Sequence, residues 1–283
     1  MINDNRLVVL DVNVLAFSRP EDWLLPTDHV LLPHAMAYEI ATSDKGPRIS
    51  QGFAPWYRQH SKTIWVAHDA GELIDMEHNP TSSVSGEEYI DHPLTDALRI
   101  ASQNPEEITF RLREIPKSEI GHQYAQGKQD FVNLCLGFRQ NLRRDRPDDW
   151  EKIKAEGRDL GKMVVKMVQD PEAIVRMTRK DTPSLKKYKT ADWEQALTIF
   201  PDKMAIGRWL RVLYWYTIIS AGKSDKEVEK GNDFDDAHYA FLSSYSGFIA
   251  TRDQGLKDCI SALFPSCQTL LQRGGSGVKQ GRS

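Results

Sequence analysis

An α/β fold, with a small parallel sheet interrupted by a large helical insertion, follows from three features of the sequence. Short, continuous apolar runs that end in polar residues lie near both termini, "LVVLD" at 7–11 and "GFIATRD" at 247–253. Such runs suit strands buried on both faces of a parallel sheet. The long middle between them has little β-branched alternation and reads as helix. Neither end alone has enough strands for a sheet. One sheet drawing strands from both ends is therefore the economical arrangement, with an N-terminal fragment beside an unrelated C-terminal domain as its rival.

The elements are expected in this order. Leu7–Leu10 forms a strand, and a helix starts near Asn13 and is redirected by Pro20. "DHVLLPH" (28–34) is a second strand ended by Pro33, and "MAYEIATS" (36–43) a helix. "NPTSSVSG" (79–86) is turn-rich. Helical stretches follow at 87–102, 119–145, 149–169, 190–199 and 203–221. "DFDDAHYAFLSSYS" (233–246) is a helix with acids at its start. "GFIATRD" is a short strand, "QGLKDCISALF" (254–264) a helix and "CQTLL" (267–271) a last strand. "RGGSGVKQGRS" (273–283) has no core-forming residues and reads as a disordered tail. The division is α/β material at 1–50 and 228–272, a mostly helical insertion at 51–227, and the tail.

Composition narrows the class. The chain has 283 residues, enough for a substantial core. Its net charge of −3 gives no global basic field of the kind a nucleic-acid binder often carries. Three cysteines, Cys135, Cys259 and Cys267, with no C-x-x-C, point to a reducing, cytoplasmic setting without disulfides. The polar start "MINDNR" does not read as a signal peptide. "WLRVLYWYTIIS" (209–220) is about a dozen residues, where a membrane span needs roughly twenty. It is expected to be a core helix, and no membrane partner is expected.

Charge is unevenly spread. Residues 139–189 hold 15 Lys/Arg against 9 Asp/Glu, net +6, which leaves 22 against 31, net −9, elsewhere. The densest basic patches contain Arg143 and Arg144, and Lys186 and Lys187. They read either as a solvated helical face or as a surface for phosphates.

Acidic residues mark the strand ends. Asp11 closes the first strand, Asp253 follows "FIAT", Asp235 and Asp236 open a helix, and Glu39 lies on the helix after the second strand. In open α/β sheets, sites form outside the carboxyl ends of the strands. Several carboxylates gathered there repel one another unless a cation is present. Oxygen-only donors select a hard divalent ion, and magnesium keeps room for substrate phosphate. Metal-assisted phosphodiester hydrolysis suits such a site, the metals orienting an attacking water and stabilising the leaving oxygen. Each acid also has a plain structural alternative as a helix cap, a first-turn residue or a solvated side chain.

Four motifs together resemble the PIN-domain nucleases: "VVLDVNVL", "LLPHAMAYEIA", "DFDDAHYAFL" and "FIATRDQGL", in family order and covering roughly residues 5–45 and 230–272. The resemblance implies a three-layer α/β/α sandwich with a parallel sheet. It also implies an Mg²⁺- or Mn²⁺-dependent endonuclease acting on single-stranded RNA, with one or two ions held by Asp11, Glu39, Asp235 and Asp253. The family usually places its third acid 16 residues before the Thr of T-x-D. Counting back from Thr251 selects Asp235, with Asp236 in reserve. Asn13 and Thr251 are expected to hydrogen-bond a carboxylate or metal-bound water. His238 and Arg252 are candidate phosphate contacts. Toxin, defence and RNA-processing roles stay open, as do a protein inhibitor or a homo-oligomer as partner. Glu39 and Asp235 are 196 residues apart, far more than in compact members of the family, so the insertion is unexplained by the resemblance.

Other chemistries fare worse. The eight histidines show no H-x₃-H pair and no nearby cysteines, which argues against zinc. Nucleotide cradles and the G-x-S-x-G elbow are absent. A phosphohydrolase of the haloacid dehalogenase kind needs a second Asp where Asn13 stands. The remaining alternative is a catalytically inactive module of the same fold that binds RNA or protein. Trp150, Trp193, Trp209 and Trp215 are expected in the core.

Overall fold

The computed structural model describes residues 6–42, 46–77, 88–101, 103, 114, 117–156, 190–199 and 203–271. It is mostly helical around one five-stranded, all-parallel sheet. The strands are β1 (Leu7–Leu10), β2 (His29–Leu32), β3 (Ile64–Val66), β4 (Phe248–Ala250) and β5 (Gln268–Thr269), in spatial order β3-β2-β1-β4-β5. All four β1 residues are buried, as a central parallel strand requires. Val9 sets the register on both sides, opposite Leu31 of β2 and Ile249 of β4.

The expected pairing of strands from the two ends is therefore present, with the N- and C-terminal strands side by side at β1 and β4. One boundary is corrected. β3 is an edge strand at 64–66, inside the stretch assigned to the insertion from residue 51, so the α/β part extends further along the chain. The reason is its brevity: "IWV" is too short to show a strand period after the Gly46–His60 helix.

The strand order places the topological switch between β1 and β4. The chain moves from β1 outward to β2 and β3, then returns to the other side of β1. A crevice outside the carboxyl ends of the strands follows from that reversal. Around it stand α1 (Val12–Phe17), α2 (His34–Thr42), α3 (Gly46–His60), α4 (Ala70–Asp75) and α5 (His92–Ala101). The middle and end of the chain add α6 (Glu119–Asp145), α7 (Pro147–Glu156), α8 (Ala191–Ile199), α9 (Ala205–Ile219), α10 (Asp225–Glu229), α11 (Asn232–Ser246) and α12 (Gln254–Leu263).

Helix α11 is the hub. It packs on β1, β4, α2, α9 and α12, and its Phe234, Ala237, Ala240 and Phe241 are buried. Helix α9 is apolar on most sides and lies in the core rather than across a membrane. Among the described residues, no helix is long and apolar enough to cross one. Trp150, Trp193 and Trp215 are buried, and Trp209 packs against the core. The tail, the "NPTSSVSG" turn, Lys186 and Lys187 lie outside the described residues.

Candidate functional site

Asp11 stands at the head of the crevice because β1 ends one residue before it. Its carboxylate caps α1 by accepting the Asn13 amide at 3.0 Å, and Asn13 Nδ2 lies 3.4 Å from Oδ2. From the other side of the switch, Thr251 Oγ1 donates to Asp11 Oδ2 at 2.5 Å. Asn13 and Thr251 thus both hold a carboxylate. Asp253 caps α12 through the Leu256 amide at 2.8 Å, and its own amide donates to Thr251 Oγ1 at 3.0 Å. The capping alternatives for Asp11 and Asp253 hold as well, since one oxygen of each orders a helix start.

Glu39 approaches from α2 and accepts the Tyr239 hydroxyl at 2.6 Å. Burial drives its carboxyl well above the usual range, and the charges of Asp235 and Asp11 add to the push against a smaller pull from Lys128. Burial likewise raises Asp11, helped by the charge of Asp253 and opposed by Thr251 and Asn13.

The two adjacent acids of α11 point differently, as consecutive helical residues must. Asp235 turns toward α6, where Tyr124 donates its hydroxyl at 2.8 Å and Lys128 Nζ lies 2.5 Å away. Burial still raises its carboxyl, against that ammonium. Asp236 has no hydrogen-bond partner among the described residues. Burial comes first, then the charges of Asp253, Asp11, Asp233 and Glu39, and together they hold its carboxyl well above the usual range. The charges of Asp253 and Asp11 act on Asp236, and that of Asp235 acts on Glu39. Asp235, which spacing selects, and Asp236, held in reserve, both stay candidates for the third acid.

The expected phosphate contacts fare unevenly. His238 is buried among the rings of Trp209, Phe234 and Tyr124, and burial pulls its pKa down to about 4. It is a neutral core residue there, with no surface to offer a phosphate. Arg252 is exposed but tied to α1, donating to the Phe17 carbonyl at 3.1 Å. Arg143 and Arg144 lie near the C-terminal end of α6, about 22 Å along the helix from Lys128. Arg143 stacks 4.3 Å over Trp150, and Arg144 pairs with Asp145 at 2.6 Å.

The acids of the switch point are gathered but not tightly chelating. Among the described residues, the three-residue group of possible ligands with atoms all within 4.8 Å of one another is a different one: His34, Glu72 and Asp91. Three unremarkable side chains spread over 58 positions carry no motif that would have pointed to it. No family model, curated protein or solved structure matches the chain.

Proposed function

We propose that the chain is a PIN-like, divalent-cation-dependent endonuclease that hydrolyses phosphodiester bonds of single-stranded RNA. The observation that carries this reading is the placement of Asp11 and Asp253 beyond the carboxyl ends of β1 and β4 at the switch point, joined through the Thr251 hydroxyl, with the charges of Asp253, Asp11 and Glu39 acting on Asp236. Like charges gathered at one crevice ask for a cation. The donors are all oxygens, which fits Mg²⁺ or Mn²⁺. Their loose grouping fits an ion that keeps several waters and takes only one or two protein ligands.

Asp236, Asp11 and Asp253 are the residues that would hold such an ion, with Glu39 beside them. When bound, it activates water for attack and stabilises charge on the departing oxygen. Thr251 and Asn13 fix the Asp11 carboxylate, and Tyr239 fixes Glu39. Lys128, on α6, pairs with Asp235. The three-layer sandwich, the cytoplasmic setting and a toxin, defence or RNA-processing role belong to the same proposal. The basic stretch 139–189 is the part of the insertion suited to an RNA backbone.

A second reading, a non-catalytic RNA- or protein-binding module, draws support from the Lys128–Asp235 pair, which already supplies one cation from the chain itself. Cleavage of labelled single-stranded RNA with Mn²⁺ separates the two. Wild type should cut and Asp11→Asn should lose at least about 100-fold, or about 3 kcal/mol of barrier lowering. Equal cutting by both, or none by wild type with any divalent ion, overturns the nuclease reading.

A further inference from the structure

We propose that His34, Glu72 and Asp91 form a second metal site, separate from the acidic crevice, that takes a first-row transition ion of the Zn²⁺ kind. The three side chains come from different parts of the fold. His34 opens α2 just beyond β2, and Glu72 lies in the first turn of α4 just beyond β3. Asp91 follows the isolated bridge between Ala67 and Ile90, where its amide donates to the Val66 carbonyl at 2.8 Å. The parallel pairing of β2 with β3, extended by this bridge, brings their ligand atoms within 4.8 Å of one another.

His34 is what distinguishes this cluster from an ordinary group of surface acids. Its side chain is only 8% exposed, and neither ring nitrogen makes a hydrogen bond. A buried imidazole with both nitrogens unsatisfied is costly. Its Nε2 nevertheless points at Asp91 Oδ2, 3.5 Å away. That separation is long for a hydrogen bond. It matches the spacing of two atoms bound to one tetrahedral ion, about 3.4 Å for bonds near 2.1 Å.

The carboxylates are arranged to suit. Asp91 spends Oδ1 on the Leu94 amide at 2.8 Å, which leaves Oδ2 toward His34. Glu72 accepts the Asp69 amide through Oε2 at 2.9 Å, and His68 Nδ1 lies 3.2 Å from the same oxygen. Oε1 of Glu72 makes no hydrogen bond among the described residues. Both carboxylates are thus oriented by a neighbour, as outer contacts orient the ligands of metal sites. One imidazole with two carboxylates favours a transition ion over Mg²⁺. Three protein ligands leave a fourth position for water or a substrate atom. An ion here would also tie β2–α2, β3–α4 and the start of α5 together.

The test is a calorimetric Zn²⁺ titration of the full chain after chelator treatment, alongside thermal melts with and without Zn²⁺. Wild type should show a one-to-one binding step and a Zn²⁺-dependent rise in Tm. His34→Ala and Glu72→Gln should each weaken that step by at least about tenfold. Asp236→Asn should leave it unchanged, which keeps this outcome apart from any result on RNA cleavage. Because Glu72 is the most exposed ligand, its variant tests the site even if His34→Ala fails to fold. Absence of the step in wild type, its retention in Glu72→Gln, or its loss in Asp236→Asn overturns the proposal.

Discussion

Thr251 joins the two halves of the sheet at the switch point. Its hydroxyl donates to Asp11 Oδ2 at 2.5 Å and accepts the Asp253 amide at 3.0 Å. One side chain therefore fixes the acid at the end of β1 and the turn that presents the acid beyond β4. The residue is fully buried, so neither contact has water as a substitute.

Replacing Thr251 by Val keeps the shape and removes both contacts. An oxygen of the buried Asp11 carboxylate then loses its strongest partner, at a cost of about 1–3 kcal/mol. Thr251→Ser should recover most of the loss. Urea denaturation of the three proteins measures it, and equal midpoints for Val and wild type would contradict the bridging role.

The raised carboxyls make stability depend on pH in a defined direction. Asp11, Glu39 and Asp236 all have folded-state values above their ordinary ones. Such groups keep their protons longer in the folded chain. Their contribution is fully present below the ordinary carboxylate value of about 4 and is lost as pH rises through the folded values. With a chelator present, Tm should fall as pH rises from about 5 to about 8, and the fall should be shallower in Asp236→Asn. Mn²⁺ should restore more stability at the upper end than at the lower. An unchanged slope in the variant would remove Asp236 from the repelling set.

Parts of this architecture were legible in the chain and parts were not, for physical reasons. β1 and Asp11 announce themselves because four apolar residues buried on both faces run straight into a charge. The pairing of β1 with β4 was inferable because neither end alone could build a sheet. β3 escaped because three residues carry no usable period. Asp235 and Asp236 were both visible as acids at a helix start, but the Tyr124 and Lys128 partners of Asp235 come from α6, more than 100 positions away. His238 shows the reverse error: its spacing from Asp235 matched a motif, while its ring is enclosed by Trp209, Phe234 and Tyr124. The His34, Glu72 and Asp91 group is a product of strand pairing, and no local spacing encodes it.

The two acids of α11 should separate in activity. The charges of Asp253 and Asp11 act on Asp236, whereas Asp235 is held by Tyr124 and Lys128. If the endonuclease proposal holds, Asp236→Asn should lower Mn²⁺-dependent RNA cleavage by at least about 100-fold. Asp235→Asn should retain most of the rate. The reverse ranking would return the third ligand to the residue that spacing selects.

The Lys128–Asp235 pair should be strongly coupled. Its side chains are 21% and 5% exposed, and α6 supplies one partner while α11 supplies the other. Lys128→Met leaves a buried carboxylate unpaired, which costs about 3–5 kcal/mol when a pair is broken from one side. Adding Asp235→Asn removes the stranded charge and should recover much of that loss. A double-mutant cycle in urea gives the coupling, and simple additivity would mean that the two charges do not support each other.

Gly231 tests the same junction from the backbone. It precedes α11 with φ of 66°, a left-handed conformation that L side chains rarely adopt. A Cβ there would lie 2.7 Å from Cε and 3.0 Å from Cγ of Lys128, closer than carbon atoms pack. Gly231→Ala therefore carries two penalties, backbone strain of roughly 1–2 kcal/mol and displacement of the ammonium from Asp235. The strain is independent of Lys128, as is a close approach of that Cβ to Val132 Cγ2 at 3.3 Å. Measured by urea denaturation, Gly231→Ala should cost clearly less in a Lys128→Ala background than in wild type, because the clashing atoms and the ion pair are already gone. Equal costs in the two backgrounds would show that strain alone explains the glycine, and that Lys128 adjusts without leaving Asp235.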